Sequence, residues 1–219
     1  LNYNTAPFEN HKIIKFKING SIRFGQKYLS YPGSKINIPN PKYPRVGFSF
    51  EKGISANKSD YNFEHLSLNL NQSISLENKG KLRYFVVGGT FFNNSKLAFI
   101  DFKHFNGNQT HINLKSDYLK SFKNLAYYDF STSENYMEYH LEHDFNGFIL
   151  GKIPLINKLN YNLIFGLHGF SSKDQKPYKE LSLGIDNIGW GKYRFLRIDY
   201  VRSYQSKFVN DAFLFGINF

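Results

Sequence analysis

Cysteine is missing altogether from the 219 residues. Its absence excludes disulfides, thiolate chemistry and Cys-ligated zinc, and it leaves the compartment open. Methionine and tryptophan occur once each. No apolar run approaches the ~18 residues of a membrane helix, and no helical period persists over a useful length. There is no initiator Met and no secretory leader, so "LNYNTAPFENHK" reads as the start of a mature chain or of the C-terminal piece of a longer one. Lys and Arg (28) outnumber Asp and Glu (17), for a net charge of +11, yet they form no tract. Nucleic acid is therefore not expected as a partner. Scattered bases suit anionic lipid headgroups and lipopolysaccharide phosphates.

Aromatic residues, by contrast, are abundant: Phe 23 and Tyr 16, a composition that opposes disorder and favours strands. The dominant period is two. In 11–24, Ile14, Phe16, Ile18, Ile22 and Phe24 oppose Lys15, Lys17, Asn19, Ser21 and Arg23. In 44–51, Val46, Phe48 and Phe50 oppose Arg45, Gly47, Ser49 and Glu51. In 61–76, Leu66, Leu68, Leu70, Ile74 and Leu76 oppose His65, Ser67, Asn69, Asn71, Ser73 and Ser75. Further strands are predicted over 81–92, 96–104, 136–145, 161–168, 180–186, 193–204 and the C-terminal "NDAFLFGINF". Segments such as "ENKG", "NNS", "SSKDQKP" and "WGK" supply turns. The connection 105–134 is too long for an ordinary loop and is expected to be functional or a folded excursion.

Such alternation fits a soluble barrel or sandwich, apolar face inward, or a membrane barrel, apolar face to lipid. Four observations favour the membrane: the 61–76 face, the C-terminus, the placement of aromatics, and loops that are short on one side and long on the other. A row of six small or polar residues on the 61–76 segment makes a poor soluble core, and a leucine face does not belong in water. Phe213, Phe215, Ile217 and Phe219 form a terminal aromatic stripe that resembles the sorting signal read by the outer-membrane barrel assembly machinery. Aromatics also cluster near strand ends, as in "KYLSY", "FVVGGTFF" and "VRSY", as interfacial girdles require. With Phe219 periplasmic and ten alternating strands, 31–43, 105–134 and 172–177 are expected outside. Then 55–60, 93–95, 190–192 and the long 147–160 fall on the periplasmic side.

The block "EYHLEHDFNGFILGKIPLINKLN" (138–160), with "DFKHFNGNQT" and "YYDFSTSENY" before it and "GIDNIGWGKYRFLRIDYVRSY" after it, resembles a Bacteroidota outer-membrane β-barrel family of unknown function. Its members often carry an N-terminal carboxypeptidase-regulatory-like domain. The motifs cover roughly the second half of the chain. The resemblance implies a place, the outer membrane, and no chemistry. It also implies that the chain is the C-terminal part of a longer protein whose barrel has further strands upstream.

The densest ionisable stripe is Glu138, His140, Glu142 and Asp144, joined by Arg197 and Asp199 as a polar lumen cluster. It reads either as a metal or proton site or as acids neutralised by Arg83, Arg197 and Lys17, the ordinary solution for buried charge. "HLEH" mimics a metal-ligand pair, but on a strand His140 and His143 point to opposite faces, so no metal is expected. No G-x-S-x-G elbow occurs, and a lipid-facing His65 and Ser67 with a neighbouring acid remains the hydrolase alternative. No catalytic residue and no cofactor is assigned. The apolar "ILGKIPLINKLN" suits an interfacial segment with Lys152 and Lys158 toward phosphates, a packed turn or a docking surface.

The expectation is therefore all-β: an antiparallel transmembrane β-barrel of about 8–10 strands, one domain over 1–219, in the cell outer membrane. It has a long extracellular loop 105–134 and a periplasmic-side loop 147–160. The function expected is that of a structural or interaction subunit, an anchor in an envelope complex with a protein partner. A small-solute channel and, further off, a membrane-embedded hydrolase are the alternatives.

Overall fold

The computed structural model describes residues 12–38, 42–56, 59–113 and 119–217. It contains strands and short 3-10 turns, with no α-helix among the described residues. Nine long strands build one sheet: β1 (Ile13–Arg23), β2 (Arg45–Ser55), β3 (Phe63–Ser75), β4 (Lys81–Phe92), β5 (Tyr136–Asp144), β6 (Asn162–Ser172), β7 (Tyr178–Trp190), β8 (Tyr193–Gln205) and β9 (Lys207–Ile217). They lie side by side in chain order, and every ladder between them is antiparallel.

The register carries the alternation across strand boundaries. Ile22, Val46, Leu70, Val86 and Tyr139 stand opposite one another from β1 to β5. Leu163, Ile185, Ile198 and Phe215 do so from β6 to β9. These rows share one face, and that face is bare: Leu68 is 58% exposed, whereas Ser67 beside it is 9% exposed. The leucines of β3 thus point away from the protein, and the serine face is the covered one.

What covers it is the long connection between β4 and β5. Phe105, Phe122 and Leu125 from this excursion pack with Phe63, Val87, Phe91, Tyr136, Phe170 and Tyr178 of the sheet in one buried cluster. Phe105 stacks on Phe170 with ring centroids 3.9 Å apart. The excursion also reaches both sheet edges. Asp101 pairs with Lys15 of β1, while Ile112–Asn113 lies parallel to Phe215 and Gly216 of β9 and Asn124 bonds Asn210 of β9 at 2.8 Å. The sheet curls around it. Arg197 on β8 meets Glu142 on β5 at 2.7 Å, although three strand spacings span ~14 Å when flat.

Several expectations are corrected. The segment 96–104 is not a wall strand: it forms a 3-10 turn, Phe99–Asp101, and a two-residue bridge, Lys103–His104 with Ser131–Thr132. Its residues serve the covered face instead, where Asp101 is buried. Removing one strand from the count exchanges the ends assigned to everything before it. The connection between β1 and β2, which holds 31–43 and a hairpin of Lys27–Tyr31 with Ser34–Ile38, lies at the same end as 147–160 and the end of β9. Segments 55–60 and 93–95 lie at the opposite end, with 105–134 and 172–177.

The sheet is also not closed into a barrel among the described residues. With nine strands alternating in direction, the edge strands β1 and β9 run the same way and cannot pair antiparallel with each other.

Candidate functional site: a buried ionic layer

Toward the middle of the covered face the aromatic cluster gives way to charge. Alternation on β5 sends Glu138, His140 and Glu142 inward, and these are 2%, 0% and 0% exposed. On β6 and β7 it sends in His168, Glu180 and Ser182, and on β8 Arg197, Asp199 and Ser203, all buried. Two glycines leave room for this crowding. A Cβ on Gly166 would stand 2.3 Å from Ser182 Oγ, and one on Gly184 1.9 Å from Asp199 Oδ1.

Arg197 is the hub. Its Nη2 donates to Glu142 Oε2 at 2.7 Å and to Asp199 Oδ1 at 2.9 Å, and its Nε donates to Asp199 Oδ2 at 2.9 Å. Arg83 pairs with the other oxygen of Glu142. Lys123, from the excursion, lies 3.4 Å from Asp199 and 3.7 Å from Glu142. Lys103, also from the excursion, meets Glu138 at 2.7 Å. Four carboxylates, Glu138, Glu142, Glu180 and Asp199, therefore share the layer with four cations, Arg83, Lys103, Lys123 and Arg197. Buried charge is tolerable only when neutralised in this way.

Glu180 holds the excursion by its backbone. Its carboxylate accepts from Lys123 N–H at 2.7 Å, Asn124 N–H at 3.0 Å and the Tyr178 hydroxyl at 2.8 Å. The histidines are wired to each other. His140 Nε2 donates to Glu138 at 3.0 Å, and its Nδ1 faces His168 Nδ1 at 2.9 Å. One of the two facing Nδ1 atoms carries a proton and donates to the other.

This arrangement suits locking better than turnover. Lys123 Nζ donates to Ser182 Oγ at 2.9 Å, a pairing that could activate a serine in an open cleft. Here both side chains are buried. Burial pulls the Lys123 ammonium below the ordinary lysine range, while Asp199, Glu142 and Glu180 oppose that fall and Arg197 adds to it. A cavity of about 730 Å³ lies within the excursion, lined by His104, Asn108, Lys120 and Tyr128 among others, and no member of the ionic layer lines it. Among the described residues no group of three or more His, Asp or Glu is disposed to hold a metal ion.

The structure brings together five of the six sequence-predicted lumen residues, Glu138, His140, Glu142, Arg197 and Asp199. Asp144 stands apart at the end of β5, accepting from Asn146 N–H at 2.8 Å. Of the expected neutralising cations, Arg83 and Arg197 serve the layer, but Lys17 pairs with Glu51 at 3.0 Å. His143 points away from His140 and meets the Lys79 carbonyl at 2.9 Å.

His65 and Ser67 do not lie on the bare face. They belong to the covered face, where His65 stacks on Phe91 and meets the Tyr136 hydroxyl at 3.0 Å. In the terminal stripe Phe213 and Phe215 are exposed on the bare face, and Phe219 lies outside the described residues. Sequence reading passed over His168, Glu180 and Ser182 as site members, although their strand parity placed them. Lys123 gave no signal, because 105–134 has no period, and Lys103 fell in 96–104, which reads as a wall strand.

No curated protein and no solved structure matches the chain. A family model does, over residues 1–185, ending inside β7. By that match the chain belongs to the family of unknown function DUF5686, as its C-terminal domain.

Proposed function

We propose that this domain is a wall of an outer-membrane β-barrel, filled by its own excursion, that acts as a structural or interaction subunit: an anchor for a larger envelope protein or complex. The observation that carries the reading is the inverted burial of the strands. Exposed apolar side chains run along one face of every long strand, from Ile14, Phe16 and Ile18 on β1 through Leu66 and Leu68, Met137, Phe165, Leu181 and Leu183 to Phe213 and Phe215 on β9. On β5 to β8 the opposite face buries ions. An apolar surface that spans all nine strands far exceeds what a monomeric soluble domain leaves in water, and it matches the lipid face of a barrel.

The filled interior supports an anchor over a conduit. Phe105, Phe122, Lys123 and Leu125 occupy the space against the sheet, and the charge around them is paired. The connection 145–161 and the hairpin connection 24–44 hang from the end opposite the excursion. The first carries exposed Ile153, Leu155 and Leu159, suited to a partner or to the lipid interface.

Purification from outer membranes in mild detergent, followed by mass spectrometry, tests the reading. A stoichiometric companion or a longer parent chain supports it. A protein that arrives alone and conducts ions in planar bilayers makes it a channel, and one confined to the soluble fraction ends the membrane reading.

A further inference from the structure

We infer that the foot of the wall between β5 and β8 binds the headgroup of an anionic glycerophospholipid such as phosphatidylglycerol, with the acyl chains laid along the bare face. The inference rests on the barrel reading above and names the lipid that one part of the wall holds.

The first observation is an asymmetry of charge. At the end where β9 finishes, strands are joined by 24–44, 76–80, 145–161 and 191–192. Each of these connections carries lysine, and only 76–80 carries an acid, Glu77. At the opposite end, 56–62, 93–135 and 173–177 each mix acids with bases. A surface that is cationic at one end alone suits phosphate groups at that level of a bilayer.

The second observation is what borders the bare face there. Its apolar rows, with Phe165, Leu183, Ile185 and Ile198 exposed, end at Trp190 and Tyr193. These two stand opposite each other in the ladder between β7 and β8 and are 89% and 75% exposed. Aromatic side chains at the end of an apolar band mark the interface of a membrane barrel. Beside them Arg194 donates to the Leu159 carbonyl, and Asn187 Nδ2 donates to the Asn160 carbonyl at 2.6 Å. These bonds fasten the connection 145–161, with Lys152 and Lys158, to the β7–β8 turn, with Lys192.

The third observation is a cavity. About 290 Å³ lies beneath the start of β6, lined by Asn146, Asn157, Asn160, Tyr161, Asn162 and Asn187 among others. Primary amides donate to phosphate oxygens and exchange hydrogen bonds with hydroxyls in both senses, and a phosphoglycerol headgroup presents both groups together. No carboxylate is among the described lining residues, so a hard cation lacks its usual ligands there. The nearest acids along the strands, Asp144 and Asp186, stand opposite Ile164 and Asn162 on the covered-face parity, and Lys152, Lys158 and Lys192 outnumber them. The cavity has room for a headgroup, and the chains of that lipid have the bare face of β6 and β7 directly above.

The test uses the full-length protein extracted from its own membrane in mild detergent. Native mass spectrometry follows the binding of phosphatidylglycerol and of zwitterionic phosphatidylethanolamine, added separately. A lysine near an anionic lipid surface contributes about fivefold in affinity. The parent protein should therefore prefer phosphatidylglycerol by about tenfold or more, and Lys152→Gln with Lys158→Gln should bring the two lipids near parity. Arginine at the same two positions should keep the preference. Asn157→Asp, which sets a carboxylate in the cavity at unchanged size, should weaken phosphatidylglycerol binding in a protein that remains heat-modifiable.

Equal binding of the two lipids by the parent, a preference that survives the glutamine pair, or an unaffected Asn157→Asp variant would each overturn the inference. So would a photo-crosslinking amino acid at Trp190 that links, in cells, to a protein and not to phospholipid. Cell fractionation separates this idea from the barrel reading. A membrane-bound protein without lipid preference refutes the site and leaves the barrel standing, whereas a protein confined to the soluble fraction refutes the barrel and the lipid site with it.

Discussion

Arg197→Met is the substitution that most directly probes the ionic layer. Arg197 is 2% exposed and donates to both Glu142 and Asp199. Methionine keeps an unbranched stem in the site but removes the charge, and all four carboxylate oxygens that Arg197 bonds lose a donor. Glu142 retains Arg83 and Lys123. Asp199 retains only Lys123, at 3.4 Å, among the ion pairs described for it. Breaking a buried pair from one side costs about 3–5 kcal/mol, because a buried charge is left uncompensated. For a domain of this size about 1 kcal/mol moves Tm by about 2–4 °C, so a fall of ~10 °C is expected. Loss of β-sheet circular dichroism in detergent would measure it, alongside the shift in heat modifiability on gels. Adding Asp199→Asn to Arg197→Met removes the stranded charge and should recover about half of the loss or more, a non-additivity that a double-mutant cycle isolates. If Arg197→Met alone costs under ~1 kcal/mol, or if the second change only adds to the damage, the layer is not held by charge neutralisation.

Three other outcomes follow from the same structure. Leu68→Arg on the bare face should cost about 2–4 kcal/mol for refolding into lipid vesicles if that face meets the bilayer core; an effect within ±0.5 kcal/mol, as on an ordinary surface, would argue that it meets water. Glu180→Leu leaves the Lys123 and Asn124 N–H groups without their acceptor, at about 1–3 kcal/mol for each stranded donor, and limited proteolysis should then nick the 105–134 excursion before the sheet; equal resistance in variant and parent would refute its role as the clasp. Gly184→Ala would set a Cβ 1.9 Å from Asp199 Oδ1, so it should push that carboxylate off Arg197 and lower Tm, an effect that Asp199→Ser in the same chain should partly relieve.

The strands were legible in the sequence because one physical rule, alternation, governs a half-covered strand. It assigned Leu66, Leu68 and Leu70 to one face and Ser67, Asn69 and Asn71 to the other, and the ladders of β3 preserve that division. It failed at 96–104, where apolar residues alternate loosely: Phe99 and Ile100 are exposed on the excursion while Asp101 is buried against Lys15. Period cannot distinguish a wall strand from a segment folded against the wall. The same limit hid Lys103 and Lys123. Nothing local marks a loop lysine for the interior, because its partners Glu138, Glu142 and Asp199 are distant in sequence and reach it only through the curl of the sheet.

That curl links the site to the fold. A sheet with one bare apolar face and one polar face has no hydrophobic reason to bend toward its polar side, so something on that side must attract it. The excursion supplies both kinds of attraction. Its aromatic residues give apolar burial at one level, where Phe105 meets Phe170 and Phe122 meets Tyr178. Its lysines give charge at the next, where Lys103 and Lys123 complete the neutralisation of Glu138, Glu142 and Asp199. Aromatic packing is tolerant of small shifts, whereas a layer of four acids and four bases is satisfied in one register only, since any slip strands a buried charge. The ionic layer thus fixes where the excursion sits, and the excursion, tied to Lys15 at one edge and to Asn210 and Phe215 at the other, sets how far the two edges stand apart. The buried charges are the part of this domain best placed to hold that spacing.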